Sequence, residues 1–110
     1  GIFPDKKAPG FINVILRPIF PEGLENFRAT HEGPYGTIIS EWKQAGDAIE
    51  YHTSIPPNST ATLLLEAERV EKGDEEIEGK DTEGDLKQFQ INLPPGDHSF
   101  IILTGKSRKE

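Results

Sequence analysis

Apolar residues recur at every second position along most of this 110-residue chain. The clearest run covers residues 49–55, where Ile, Tyr, Thr and Ile alternate with Glu, His and Ser. A period of two places successive side chains on opposite faces of a β-strand, whereas a surface helix shows a period of about 3.6. Similar runs begin near residues 12, 38, 61, 89 and 100, and no segment of ten or more residues shows a capped helical face. The pattern predicts an all-β fold, an antiparallel β-sandwich of about seven to eight short strands.

Three turn sequences separate the alternating runs. Residues 44–47 (Gln-Ala-Gly-Asp) stand between two runs and predict a hairpin. Residues 56–58 (Pro-Pro-Asn) and 94–96 (Pro-Pro-Gly) each follow one run and precede another. Proline fixes φ and removes a donor, and the Asn or Gly that follows tolerates a positive φ. Both segments are therefore predicted to end one strand and to aim the next.

The charge of the chain argues against two classes of partner. The formal net charge is −7, and the basic residues are scattered apart from Lys106, Arg108 and Lys109. Nucleic acids and anionic membranes are bound by clustered Lys and Arg, so we expect neither as a partner. No apolar run approaches the ~20 residues of a membrane span, and no signal-peptide pattern is present. Because the chain has no cysteine, disulfides and thiolate metal sites are excluded.

Composition divides the chain into four stretches. Residues 1–10 are rich in Pro, Gly and Lys and are expected to form a linker, and residues 105–110 a frayed tail. Residues 11–104 hold the predicted sandwich. Within it, residues 66–85 carry a run of carboxylates with three glycines, which predicts an exposed, mobile acidic excursion interrupted at most by a short strand. The chain has no methionine, so we expect it to be part of a longer protein.

Several ordered landmarks resemble one known domain family. They are residues 8–11 (Ala-Pro-Gly-Phe) with 15–18 (Ile-Leu-Arg-Pro), 33–43 (Gly-Pro-Tyr-Gly-Thr-Ile-Ile-Ser-Glu-Trp-Lys), 55–62 (Ile-Pro-Pro-Asn-Ser-Thr-Ala-Thr) and 95–100 (Pro-Gly-Asp-His-Ser-Phe). Together they resemble the C-terminal domain of bacterial α-L-rhamnosidases of glycoside hydrolase family 78. The sequence departs from the family's pattern at Gly33, where Ser is common, and at His98, where the closing strand has Tyr.

The resemblance implies an accessory role for this chain. In the family the sandwich packs on a helical (α/α)-barrel catalytic domain that precedes it, and the acid and base glutamates of the inverting O-glycosyl hydrolysis lie in that barrel. We therefore expect a non-catalytic domain that caps the barrel, with residues 1–10 as the linker from it. No catalytic residue and no cofactor is expected here. The expected partners are the barrel of the same chain and, through it, rhamnose-containing glycans. The compartment would be that of the parent enzyme, whether cytoplasmic, periplasmic or secreted.

The alternative is an independent carbohydrate-binding module. Such a module would display at least two coplanar exposed aromatic rings or an edge groove, whereas a capping domain would expose one apolar patch. The aromatic candidates for sugar contact are Phe20, Phe27, Tyr35 and Trp42. Trp42 shares a strand face with Ile38, so we expect it in the core with its indole N–H bound to an acceptor. Tyr35 remains the carbohydrate-binding candidate.

The expected seam with the catalytic domain involves the first predicted strand and one turn. Phe11 follows the linker directly, and Arg17 and Pro18 end that strand, where proline blocks further pairing. Tyr35 stands between glycines on a turn, with Gly36 after it. We expect these five residues to form the interdomain contact.

The carboxylates and histidines predict neither a catalytic pair nor a metal site. Glycosidases hold two carboxylates ~5–5.5 Å or ~6.5–9.5 Å apart in a shaped pocket. The acidic run at 66–85 offers no apolar walls that would desolvate such a pair. The run also lacks the alternating Asp and Asn ligands of an EF-hand loop. His31, His52 and His98 are scattered along the chain, so we expect no bound metal.

Overall fold

The chain folds into ten strands and no helix within the residues that the structure describes. The computed structural model describes residues 2–8 and 11–104, with the backbone alone for residues 3–8, 11 and 12. That part of the chain thus contains no helix with the length and apolar character to cross a membrane. The strands are β1 (Ile2–Ala8), β2 (Phe11–Leu16), β3 (Asn26–Gly33), β4 (Gly36–Ala45), β5 (Ala48–Ile55), β6 (Ser59–Ala67), β7 (Arg69–Lys72), β8 (Glu75–Ile77), β9 (Lys87–Leu93) and β10 (Gly96–Leu103).

The strands form two sheets that face each other. A four-stranded sheet has the order β1-β2-β6-β9, and a six-stranded sheet has the order β3-β4-β5-β10-β7-β8. Neighbours pair antiparallel except β2 and β6, which run parallel. The predicted all-β sandwich is confirmed, with ten strands where seven to eight were expected. The difference comes from β1, β7 and β8, whose charged and proline-containing sequences obscure the alternation.

Strand β1 occupies most of the segment that composition predicts to be a linker. Its backbone pairs antiparallel with β2, from Ile2 opposite Leu16 to Ala8 opposite Phe11. β1 is an edge strand, and an edge tolerates Pro4 because one side of the strand needs no N–H donor. Residues 2–8 are therefore a strand of the sandwich rather than a free linker. Residues 1, 9 and 10 of that segment, and the predicted tail at 105–110, lie outside the described residues.

The acidic segment 66–85 contains more regular structure than its composition predicts. It includes β7 and β8, which pair antiparallel with Val70 opposite Ile77. Val70 is buried and Ile77 packs against the core. The guanidinium of Arg69 compensates part of the negative charge, with Nε 2.8 Å from Glu71 Oε2. Two apolar anchors and one cation thus organise the first half of the segment, and its mobility stays a prediction.

The core lies between the two sheets, at the inward positions of the alternating runs. Its buried apolar residues are Val14, Leu16, Ile38, Trp42, Ile49, Tyr51, Ile55, Ala61, Leu63, Leu65, Ala67, Val70, Phe89, Leu93, Phe100 and Ile102. Trp42 is 4% exposed, so its predicted place in the core is confirmed. Phe20 meets it edge to face, with ring centroids 5.1 Å apart. The acceptor expected for the indole is not found, since the buried Nε1 has no hydrogen-bond partner within the described part of the chain.

The two proline turns are the corners at which the chain changes sheet. Residues 56–58 join β5 to β6, and residues 94–95 join β9 to β10. Asn58 has a φ of +58° and Gly96 a φ of +123°, as the sequence predicts for the residue after paired prolines. Gly96 pairs with Ile55 at the end of β5. Both corners therefore lie side by side at one end of the sandwich, which we call the corner end.

His98 fastens the second corner to a neighbouring strand. Its side chain is buried, and its Nε2 donates to the carbonyl oxygen of Pro94 at 2.8 Å. The carbonyl can only accept, so the proton lies on Nε2 and leaves Nδ1 as an acceptor. Nδ1 lies 3.4 Å from Lys72 Nζ on β7. The imidazole therefore links the corner to β7.

Two tight hairpins bound β4. At one end β4 stops at Ala45 and β5 starts at Ala48, with Gly46 at a φ of +64° between them, which confirms the hairpin predicted at 44–47. At the other end Gly33 pairs with Gly36 across the two-residue turn Pro34–Tyr35. This second hairpin lies at the corner end and carries two of the predicted seam residues.

Candidate functional site

The five predicted seam residues lie at two opposite ends of the sandwich. Phe11 begins β2 at the corner end, because the next residue, Ile12, pairs with Ser59 directly after the first corner. Arg17 and Pro18 follow the last residue of β2. β2 has six residues, so roughly 17 Å of strand separates the two groups. The structure thus does not bring the five together into one surface.

Tyr35 and Gly36 lie at the corner end with Phe11. Gly36 has a φ of +137°, and a Cβ at this position would lie 3.0 Å from Cβ of Pro56. The hairpin therefore packs directly on the first corner, which explains why glycine follows the turn. Tyr35 is half-buried. Its ring is held at the corner end and is only partly available to a sugar or a protein surface.

The opposite end carries the three large apolar side chains that are exposed within the described residues. Ile19 is 69% exposed, Leu24 41% and Phe27 50%. We call Ile19, Leu24 and Phe27 the 19–27 patch. Ile19 comes directly after Arg17 and Pro18 in the sequence. Exposed apolar side chains at one end of a domain make this end a candidate contact region.

The segment that carries the patch is held against β4. Phe20 packs on Trp42, and the backbone N–H of Gln44 donates to the backbone carbonyl oxygen of Glu25 at 2.8 Å. Phe27 sits directly opposite Trp42 in the register of β3 and β4, so both side chains point to the same face of the sheet. Trp42 is 4% exposed, whereas Phe27 is 50% exposed. Phe27 lies on β3, the edge strand of the six-stranded sheet, and the inner face of β3 is only partly covered there.

Sequence reasoning missed Ile19 and Leu24. Both are isolated apolar residues among prolines, glycine and charge, where no period shows which way a side chain points. Phe27 was considered, but as a ring for sugar stacking. The available signal was that its strand, residues 26–33, has no second large apolar residue of the same parity, which is typical of a strand at the margin of a core.

The six-stranded sheet carries an open groove of about 790 Å³, lined by both charged and apolar residues. Three strands place Arg28, Glu41 and His52 in line across it. Glu41 Oε1 lies 3.8 Å from Arg28 Nε, and Oε2 lies 3.3 Å from His52 Nδ1. A further pair joins Lys43 Nζ to Glu50 Oε1 at 3.9 Å. Such exposed pairs each contribute roughly 0–1 kcal/mol.

The charged side chains in the groove are at least partly exposed and pair with opposite charges on neighbouring strands. Glu41 lies between Arg28 and His52, and the second carboxylate of the groove, Glu50, faces Lys43. Among the residues described, no group of three or more His, Asp or Glu side chains is arranged to hold a metal ion. The groove can therefore donate and accept hydrogen bonds through these paired side chains.

One buried ionisable group lies beneath the groove. The Tyr51 hydroxyl is 2.7 Å from Ser40 Oγ, and burial raises the pKa of Tyr51 to about 12. The hydrogen bonds from Ser40 and Thr53 act in the opposite direction but are the smaller influence. Tyr51 is therefore a neutral core residue. Of the four aromatic candidates for sugar contact, Phe27 is exposed, Trp42 is buried, and Phe20 and Tyr35 are half-buried.

Comparison with known proteins adds an identity to this geometry. The α-L-rhamnosidase from Dictyoglumus thermophilum has a similar fold, with a TM-score of 0.67 and 19% identity over 84% of this chain and 11% of that one. The Streptomyces avermitilis α-L-rhamnosidase complexed with L-rhamnose gives a TM-score of 0.61 and 26% identity over 86% of this chain and 9% of that one. This chain thus spans about a tenth of either solved enzyme. No curated protein matches it. A family model of the bacterial α-L-rhamnosidase C-terminal domain matches residues 1–80, and the chain belongs to that family.

Proposed function

We propose that this chain is a non-catalytic accessory domain of an α-L-rhamnosidase, and that it packs on and caps the catalytic (α/α)-barrel of the same enzyme. The observation that carries the proposal is the 19–27 patch, where three large apolar side chains are exposed at one end of an otherwise well-covered sandwich. The two solved rhamnosidases support it, because each is far longer than this domain.

The physical reason is the cost of exposed apolar area. Interfaces between domains of one chain bury roughly 600–1,500 Å², and each Å² of apolar surface removed from water contributes about 25 cal/mol. Arg17 and Pro18 precede Ile19 in the chain and line a second groove together with Glu66 and Gln88. A barrel that packs on the 19–27 patch would cover the apolar side chains and leave the polar outer face of the sheet in water.

The reaction of the parent enzyme would then take place outside this chain. It would be hydrolysis of terminal α-L-rhamnosyl groups by a carboxylic acid and a carboxylate in the barrel, and rhamnose-containing glycans would be reached through the barrel. The groove at Glu41 gives the rival function, an independent carbohydrate-binding module, its one supporting observation. Binding of L-rhamnose to the chain alone, lost in Glu41→Gln, would favour that rival.

The test compares the parent enzyme, the parent enzyme without this domain, and the chain alone. We expect no hydrolysis of an aryl α-L-rhamnoside by the chain alone, and a lower melting temperature for the shortened enzyme because its barrel loses its cover. Turnover by the pure chain that disappears in Glu75→Gln, or an unchanged melting temperature of the shortened enzyme, would contradict the proposal.

Two variants in the same experiment decide which end docks. Tyr35→Ala changes the corner end, where Phe11 and Gly36 also lie, and Ile19→Ser changes the 19–27 patch. Substitution of a residue that contacts the barrel should lower the melting temperature of the full enzyme more than that of the chain alone. Equal effects of Tyr35→Ala in both proteins would mean that Tyr35 supports only the sandwich itself.

A further inference from the structure

The four edge strands of the sandwich are protected to different degrees. In the four-stranded sheet, β1 contains Pro4, and β9 is bridged by Lys80, whose N–H and C=O each bond Gln88 at 2.8 Å. In the six-stranded sheet, β8 has only three residues. β3 has eight residues, contains no proline, and pairs with β4 in an unbroken register from Asn26 to Gly33. A long regular edge without such protection is a template for another strand.

The hairpin geometry tells which backbone groups of β3 face the open edge. Gly33 and Gly36 close a two-residue turn, and the residues that close such a turn exchange both hydrogen bonds with each other. Residues of the same parity as Gly33 therefore bond β4. Those of the other parity, Arg28, Thr30 and Glu32 among them, point their N–H and C=O groups away from β4. β1 comes near β3 from the other sheet, but within the described residues the two strands do not pair.

The open edge and the exposed apolar surface belong to the same strand. Phe27 lies on β3 with half of its surface in water, and the exposed Ile19 and Leu24 precede the strand in the sequence. A segment added to β3 could hydrogen-bond along the edge and cover Phe27 with alternate side chains. Backbone bonds with side-chain pockets beside them are the elements of strand addition.

We propose that an extended segment of the catalytic domain of the same enzyme adds to β3 as a further antiparallel or parallel strand, and packs its apolar side chains on Phe27. This rests on the proposed function, and specifies how the two domains join. The occupant is the parent chain because a tethered segment is present at high effective concentration. A second copy of this domain, by contrast, would have to overcome repulsion between two net charges of −7.

The test is amide hydrogen exchange in the parent enzyme and in the chain alone. We expect the amides of Arg28 and Glu32 to exchange at least tenfold more slowly in the enzyme. Thr30→Pro removes one edge N–H and blocks pairing there, but it removes no donor that bonds β4. It should abolish the protection of Arg28 and Glu32 in the enzyme. Thr30→Ala keeps the N–H and is the matched control, so it should retain that protection.

The outcomes separate the two proposals. Fast exchange at Arg28 and Glu32 in an enzyme that still depends on this domain for its melting temperature would overturn strand addition and leave the accessory role intact. Protection that appears in the chain alone and grows with its concentration would make a second copy the occupant, and would also overturn the proposal. Protection of the Tyr51 amide in the Thr30→Pro chain verifies that this variant is folded. If it is not folded, the exchange rates of the unmodified proteins decide alone.

Discussion

Within the described residues, another segment of the chain pairs with the edge strand β9, whereas no segment pairs with the outer side of the edge strand β3. At β9 the acidic segment turns back, pairs Lys80 with Gln88, and lays Gly79 on the ring of Phe89. At β3 no part of the described chain pairs with the outer side of the strand, and Phe27 stays half in water. The described part of the chain thus covers one edge and leaves the other open. The open edge, with Phe27 on its strand, is the surface to which we propose that the catalytic domain adds a strand.

The cover at β9 is a close fit. A Cβ on Gly79 would lie 2.7 Å from both Cε2 and Cζ of Phe89 and 3.1 Å from Cβ of Lys87. Glycine at this position therefore lets the backbone approach the ring. By contrast, Phe27 has half of its surface in water. The following predictions test whether the two edges differ in energy as they differ in geometry.

The largest effect should separate Trp42 from its cross-strand partner Phe27. Trp42→Ala removes a covered ring and should cost ~3–5 kcal/mol. Phe27→Ala removes a ring that is already half solvated, and we expect less than ~1 kcal/mol in the chain alone. Trp42→Ala removes the chain's one tryptophan and with it the tryptophan fluorescence. The urea unfolding of both variants is therefore followed by circular dichroism. Similar losses for both variants would show that β3 is part of the core and that its edge is not a docking surface.

The middle of the six-stranded sheet gives a reference for both edges. The pKa of Tyr51 is raised from 10.0 to about 12 by burial, so the fold favours the neutral phenol. The stabilisation that comes from keeping the Tyr51 phenol neutral is fully present below pH ~10. It is lost as the pH rises from ~10 to ~12, and the free energy of unfolding falls by up to about 3 kcal/mol across this window. The stability of the unmodified chain should therefore fall across this window, when urea midpoints are measured at several pH values.

Tyr51→Phe is the control for this pH dependence. It loses the hydrogen bond to Ser40, which should cost about 1 kcal/mol at neutral pH, but it removes the phenol. The advantage of the unmodified chain over Tyr51→Phe should therefore shrink above pH 10 and change sign before pH 12, because the expected loss exceeds the ~1 kcal/mol of the hydrogen bond. A constant difference up to pH 12 would mean that Tyr51 ionises without unfolding the sheet, which would remove it as a reference.

At the β9 edge we expect a smaller effect than that of losing Trp42. Gly79→Ala forces a methyl group against Phe89 and should cost ~1–3 kcal/mol. Gly84→Ala is the matched control in the same segment, since its Cβ would meet nothing closer than Thr82 Oγ1 at 3.9 Å. We expect it to be close to neutral in thermal unfolding. If Gly79→Ala were equally neutral, the segment would rest loosely on β9, and the two edges would be alike.

Local sequence patterns predict most of the strands and turns. The alternation at 49–55 and the paired prolines before Asn58 and Gly96 act within a few residues, and such local rules do not need the rest of the fold. The burial of Trp42 follows from the same parity rule, because Ile38 marks the inner face of its strand.

The pairing of the strands, and how far the four-stranded sheet extends over the six-stranded sheet, depend on the tertiary structure. Strand β1 pairs with β2 although its composition predicts a linker. The acidic segment pairs with β10 and β9 although its composition predicts an exposed excursion with at most a short strand. Phe27 and Trp42 face the same side in register, yet one is exposed and the other is buried. That difference depends on how far the opposite sheet extends over β3. Contacts between residues far apart in sequence determine this extent, and local periodicity contains no information about it.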